Sequence, residues 1–324
     1  MIVPRYWSEA TQHTRHAGRS FTLKRFGWSD VSEQAAQAHA LERVQAALST
    51  LQAEGDVRRV DHKIAYNGAE GLPIREEVVE QHGDVVISRN SYGALCLNTP
   101  DVLFADVDFD SRPGRGLSLM VFAAVLGVSL LLAMLTGMGW LLALGTVVAL
   151  LCGGLVARRL RALWVRLQGG VEALALARIA AVVQRHPELN LRIYRTPLGL
   201  RVLAMNATYA PASDKAQALL AELGSDPVYT RMCRNQQCFR ARVSPKPWRI
   251  GVERMTVTGS WPVKPERLAA RRAWVAAYER QALAYAACRF VTEMGSRQVT
   301  PRAEQVRRLH DGLCRVHDSR LELA

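Results

Sequence analysis

The sequence predicts an α+β cytosolic domain with an inserted two-helix transmembrane hairpin, and three observations carry that expectation. The stretch from Leu117 to Ala157 contains no charged residue. On either side of it the chain is polar and alternates short strand-like and helix-like patterns. Charge also changes sign across it: residues 1–116 hold 13 Lys and Arg against 16 Asp and Glu, residues 158–324 hold 29 against 13, and the two give the net +13 of the whole. The expected organisation is an N-terminal cytosolic α+β segment (1–116), the hairpin (117–157) and a basic C-terminal cytosolic α+β segment (158–324) that packs with the first as one domain.

Before the hairpin, Met1–Gly18 reads as an irregular start with Tyr6 and Trp7 as anchors, and Phe21–Trp28 alternates as a strand does. Met1 to Asp30 is polar and broken by Arg and His, so the hairpin itself is expected to direct insertion. Asp30 followed by Glu33 matches a capping box and opens a helix with Leu41, Val44, Leu48 and Leu51 along one stripe. Glu54-Gly55-Asp56 ends it. A second strand is expected over Arg58–Tyr66, a turn around Gly68 and Gly71, a short helix over Ile74–Gln81, a strand over Asp84–Ser88, and a polar loop from Arg89 to Thr99.

The uncharged block divides at Thr136-Gly137-Met138-Gly139 into Leu117–Thr136 and Trp140–Ala157. At ~1.5 Å rise per residue each half is about long enough for a hydrocarbon core of roughly 30 Å. A buried soluble hairpin is the competing account, and so long a run without a charge argues against it. Arg112 and Arg115 precede the block while Arg158, Arg159, Arg161 and Arg166 follow it, which by the positive-inside bias places a multi-pass protein in the inner (plasma) membrane with both termini cytoplasmic. Gly127, Gly137, Gly139, Gly145, Gly153 and Gly154 would let the two helices approach. Without an ionisable group in either span, transport is disfavoured.

After the block, Arg158–Arg166 continues the second span into the interface, with Trp164 at head-group level. Gly169-Gly170 breaks it, and Val171–Arg185 reads as a helix stopped before Pro187. Leu191–Ala204 is a β-hairpin around Pro197 and Gly199. If Thr196 closes against Gly199, then Tyr194 faces Arg201 and Arg192 faces Leu203, which puts Arg192, Tyr194 and Arg201 on one face and leaves Ile193, Leu200 and Val202 as the core face. Ser213–Leu223 is a short helix, the Pro265 helix carries Leu268, Val275, Tyr278, Ala282 and Tyr285 on one side, and Thr300-Pro301 caps a last one.

Candidate chemistry rests on two stretches. In Val102–Asp110 the strand period puts Asp106, Asp108 and Asp110 on one face, and neighbouring carboxylates cost energy unless a cation sits between them. That is how a hydrophobic-hydrophobic-Asp-x-Asp strand holds Mg²⁺ or Mn²⁺, so Asp106 and Asp108 are the candidate metal ligands. A solvated strand end paired to nearby arginines is the competing account. Around β-hairpin and strand, Arg192, Arg201, Arg240 and Arg242 are the candidate phosphate ligands, with Tyr194 and Trp248 to stack a base. The alternatives there are a solvated Arg/Tyr face on the hairpin and, for the later basic run, a rim of Arg paired to the Asp cluster. The six cysteines, Cys233 and Cys238 included, read as free thiols, and His310 and His317 lack ligand spacing. No Walker A loop or GxGxxG pattern is present.

Asp106-Val107-Asp108 followed by Tyr194–Val202 with its Gly turn resembles the palm of archaeo-eukaryotic primase-like polymerases. That resemblance implies metal on the acids and a phosphate contact from a hairpin His, where this chain carries Arg201. The expected function is a membrane-anchored cytosolic domain that binds a phosphorylated ligand, a nucleotide by preference, with phosphoryl or nucleotidyl transfer as its catalytic form. The alternative is a non-enzymatic membrane-bound adaptor whose basic surface meets anionic lipid head groups, a protein partner or nucleic acid.

Overall fold

The computed structural model describes residues 1–61, 72–109, 114–255 and 261–324. Two compact units emerge, one from Met1–Val107 with Val182–Ala324 and one from Asp108–Ala181. The first unit is mixed α+β.

Strands β1 (Tyr6–His16) and β2 (Arg19–Ser29) form an antiparallel ribbon paired from Tyr6 with Ser29 to His16 with Arg19. The irregular start expected before Gly18 is therefore a strand. Its pattern was faint because Trp7 and Ala10 are the buried residues of an otherwise solvated strand. Helix α1 (Glu33–Glu54) packs on this ribbon, capped by Ser32, whose hydroxyl accepts from the Ala35 amide at 3.1 Å. Asp30, expected as the cap, instead accepts from the Arg5 amide. The buried side of α1 is Ala36, Ala40, Val44, Ala47 and Leu51, while Leu41 is 50% exposed. Gly27 explains the difference: a Cβ there would lie 2.2 Å from the Ala36 carbonyl oxygen and from the Ala40 nitrogen. At Gly27 ribbon and helix approach so closely that Ala36 and Ala40 fill the seam, whereas further along Leu51 packs with Phe21 and Leu23. Gly55 ends the helix at φ 76°, its N–H donating to the Leu51 carbonyl.

Residues 62–66 of the next expected strand and the turn around Gly68 and Gly71 lie outside the described residues; Val60 bridges to Lys24. Glu77–His82 is strand β3, not a helix, and pairs antiparallel with β4 (Val85–Arg89) across Gly83 at φ 65°. Its Glu and Gln are helix formers in isolation, but ladder bonds to β4 outweigh that weak preference. The expected loop before Thr99 contains β5 (Leu95–Thr99), whose polar Asn98 is buried and donates to the Val86 and Cys96 carbonyls and to Ser88 Oγ. With β9 (Phe239–Arg242) these strands form a sheet ordered β3-β4-β5-β9.

A second sheet runs β11 (Arg289–Gly295), β7 (Asn190–Thr196), β8 (Gly199–Ala204), β6 (Phe104–Asp108). The β7–β8 register pairs Thr196 with Gly199, Tyr194 with Arg201 and Arg192 with Leu203, as the turn chemistry dictates. Both faces of this hairpin are buried, including the Arg/Tyr face. Helices α5 (Asp214–Leu223), α6 (Pro227–Gln236), α7 (Leu268–Ala282) and α8 (Pro301–Cys314) complete the unit, with a short parallel pair β10 (Tyr285–Ala286) and β12 (Glu322–Leu323). Ser213, Asp226 and Thr300 cap α5, α6 and α8 through their side-chain oxygens. Tyr285, expected on α7, belongs to β10 because the helix stops at Ala282.

In the other unit, α2 (Arg115–Thr136) and α3 (Trp140–Leu167) pack as a helical hairpin joined through Gly137 at φ 69°. Gly116–Thr136 and Trp140–Leu167, with mean hydropathy 2.5 and 2.2, are both long and apolar enough to span a membrane. Leu119, Met134, Leu135, Leu150 and Leu151 point their side chains outward, as lipid-facing residues do. Gly145, Ala149, Gly153 and Ala157 form the buried stripe of α3, every fourth residue and all small. Gly145 makes the close approach, since a Cβ there would lie 1.8 Å from Ser129 Oγ, whereas Gly127, Gly153 and Gly154 would meet nothing within 4 Å. Gly169 and Gly170, at φ 84° and 98°, separate α3 from α4 (Val171–Arg185).

Candidate functional site

Asp106 is half-buried and Asp108 exposed on β6; Asp110 lies outside the described residues. The main chain of Asp106 is held by the loop into α6, its N–H donating to Ser225 Oγ and its carbonyl accepting from the Asp226 amide at 2.8 Å. β6 neighbours β8, whereas Arg240 and Arg242 stand on β9 in the other sheet.

The four nominated arginines do not converge on one surface. Arg192 is buried and binds the carboxylates of Glu293 and Asp311, the latter at 3.2 Å. Tyr194 has no exposed surface and donates its hydroxyl to Asp311 Oδ1 at 2.6 Å, so its ring offers no face to a base. Burial and the adjacent Asp311 charge raise that hydroxyl far above an ordinary tyrosine. Arg240 pairs with Glu76 at 2.5 Å, both side chains 5% exposed. These partners, Glu293, Asp311 and Glu76, lie outside the Asp106–Asp108 strand.

Arg201 stands among Cys288, His310 and Cys314. Its Nη1 is 3.0 Å from His310 Nε2, 3.8 Å from each of the two Sγ atoms and 2.9 Å from the Arg242 carbonyl oxygen. A guanidinium only donates, so Nε2 presents its lone pair and the imidazole proton sits on Nδ1, directed at Asp311 Oδ1 3.0 Å away. Burial raises the Cys288 thiol, but the Cys314 thiol donating to it and the nearby Arg201 charge draw it well below the usual range. Cys314 moves the opposite way, raised by burial and by its neighbour Cys288. All six cysteines are unbridged. The ligand atoms of Cys288, His310 and Cys314 lie within 4.8 Å of one another, close enough to hold one metal ion. Histidine spacing alone missed this group. The available signal was His310-x3-Cys314, one helical turn apart on α8, but its third member comes from the segment between β10 and β11.

Arg242 and Trp248 keep exposed surface. Arg242 Nη1 donates to the Ser244 carbonyl at 2.7 Å, and Trp248 is 43% exposed on the turn Pro247–Arg249. Trp248 meets Tyr92 edge-on at 5.2 Å between centroids, with Arg254 and Lys246 lying 4.8 and 5.5 Å from its ring. Partial burial and the facing Arg242 charge lower Arg249. Among the described residues no carboxylate pairs with Arg242 or Arg249. The Arg242 charge that acts on Arg249 and the two cations at the Trp248 ring make this surface favourable to an anion.

Comparison of the chain with protein-family models, with curated proteins and with solved structures gives no match.

Proposed function

We propose that the protein is a non-enzymatic, membrane-anchored module of the inner (plasma) membrane, both termini cytoplasmic, that binds a phosphate-bearing ligand, a nucleotide by preference, at Arg242 and Arg249. The observation that carries this reading is the exposed Trp248 ring, with Tyr92 5.2 Å away and the cations of Arg254 and Lys246 4.8 and 5.5 Å from it, beside Arg242 and Arg249, which pair with no carboxylate among the described residues. Trp248 and Tyr92 supply the adjoining aromatic surface, on which a base stacks. Charge-assisted hydrogen bonds to a phosphate oxygen replace the mutual repulsion of the arginines, so the ligand relieves a cost already present in the folded chain. The internal pairing of Arg192 and Arg240 supports binding over catalysis, because it withdraws two of the four cations from any reacting phosphate.

The test is titration of the detergent-solubilised protein with ADP, ATP and inorganic phosphate, followed by Trp248 fluorescence, with and without Mn²⁺. Binding in the wild type, weakened about tenfold or more in Arg242→Gln and Arg249→Gln, and unchanged in Asp106→Asn/Asp108→Asn, is the expected pattern. Equal affinity in the arginine variants overturns the assignment. Loss in the aspartate variant, with dependence on Mn²⁺, transfers the function to metal-assisted phosphoryl chemistry. Binding confined to vesicles of anionic lipid makes the patch a lipid surface.

A further inference from the structure

We propose that Cys288, His310 and Cys314 form a buried binding site for a thiophilic, zinc-class metal ion, with Asp311 orienting the histidine and Arg201 standing in for the ion's charge in its absence. The site adjoins the anion surface proposed above through the Arg242 main-chain carbonyl, but its donors are different residues.

Three features of the geometry carry it. The donor set is two sulfurs and an imidazole nitrogen, which suits a borderline-soft ion and disfavours Mg²⁺ or Ca²⁺. The separation of Cys288 Sγ and His310 Nε2 is 3.8 Å. Zinc–sulfur and zinc–nitrogen bonds of about 2.3 and 2.0 Å at tetrahedral angles require donors about 3.6 to 3.8 Å apart. Since all three donor atoms lie within 4.8 Å of one another, closing on one ion asks the third donor to draw in by at most about 1 Å.

The second feature is the outer ring. A metal-bound imidazole commonly donates its other N–H to a carboxylate, which fixes its tautomer. His310 does so already, through Nδ1 to Asp311 Oδ1 at 3.0 Å. Asp311 is itself immobilised by Tyr194 Oη at 2.6 Å, Arg192 at 3.2 Å and Arg307 at 2.9 Å. The Nε2 lone pair, which now accepts from Arg201, also lies 3.8 Å from Cys288 Sγ.

The third feature is Arg201. Its Nη1 faces all three donors and completes their charge with a single positive group. An ion that takes over that role displaces Nη1 from the three donors, so the bond this same nitrogen makes to the Arg242 carbonyl oxygen passes to another nitrogen of the guanidinium. Because Cys288, His310 and Cys314 are all fully buried, the ion enters as the unit folds and exchanges slowly afterwards.

The experiment grows cells in minimal medium supplied with Zn²⁺ or Co²⁺, purifies the full chain in detergent, and measures metal content together with the thiolate-to-cobalt absorption. Cys288→Ser and Cys314→Ser are compared with Cys233→Ser, a buried cysteine outside the group. One ion per chain is expected in the wild type and in Cys233→Ser, with loss of the charge-transfer band in both site variants. Asp311→Asn is expected to lower affinity about ten- to a hundredfold while keeping the band. Because a site variant can fail to fold, alkylation in mild urea is mapped on the wild type as well: Cys288 and Cys314 should be protected until a chelator is added. A folded wild type without metal overturns the site, as does a band that survives both site variants or protection that falls on Cys233 and Cys238 instead.

Discussion

Arg201 on β8 donates to the main-chain carbonyl of Arg242 at the end of β9, 2.9 Å away, so a single guanidinium ties the two four-stranded sheets together. Arg201→Lys keeps the charge but loses the planar fork. The shorter side chain must bring its ammonium to the place Nη1 holds between the Arg242 carbonyl and His310 Nε2, and each buried polar atom it fails to reach costs about 1–3 kcal/mol. Urea unfolding of the whole chain, read by tryptophan fluorescence, should show a lower midpoint with an unchanged slope.

Glu76 and Arg240 form a buried pair, with Ser88 Oγ donating to the same Glu76 oxygen at 2.7 Å. Glu76→Gln strands the Arg240 charge and should destabilise the protein by about 3–5 kcal/mol, whereas Glu76→Leu/Arg240→Met should recover most of that loss. Denaturant midpoints of the single and double variants measure it. A single variant as stable as wild type would show that Arg240 is solvated and open to a ligand.

Burial pushes the hydroxyl of Tyr278 up to about 12 and that of Tyr92 to about 12. Both are raised above the unfolded value of about 10. The stability they contribute is therefore complete below pH 10 and disappears as pH rises through 12. Absorbance near 295 nm should show part of the eight tyrosines ionising with unfolding in this window. Tyr278→Phe removes one late-titrating group but leaves Ser244 Oγ, 2.6 Å away, without that partner.

Gly27→Val should separate α1 from the β1–β2 ribbon, because the added atoms overlap the α1 backbone itself and no side chain can yield. Proteolysis at α1 and loss of helical circular dichroism are the readouts. The equivalent change in the other unit, Gly145→Val, meets only Ser129 and should be rescued by Ser129→Gly.

These two glycines also mark where the sequence could be read and where it could not. The spans and the β7–β8 register follow from local rules, an uncharged run in one case and a Thr-Pro-Leu-Gly turn in the other, so both are legible. The contact face of α1 follows from a ribbon that passes close at Gly27, which no periodicity within the helix records. β3 and β5 escaped for a similar reason: Glu77 and Asn98 owe their conformation to partner strands. For the candidate sites, residue types were legible and pairing was not. Arg192 and Tyr194 were placed on the correct face, but the helix that buries it supplies Asp311 from more than a hundred residues away.

The unit that holds both sheets is made from two stretches of chain, Met1–Val107 and Val182–Ala324, with the apolar helices between them. Its assembly is therefore set by the order of synthesis. When β6 leaves the ribosome, its neighbour β8 does not yet exist. At ~5–20 residues per second, the intervening unit alone delays the second stretch by on the order of 4–15 s. During that interval the edges of β5 and β6 are unpaired, so the two four-stranded sheets close only after both long apolar helices have been made. Truncation from either end removes strands from both sheets.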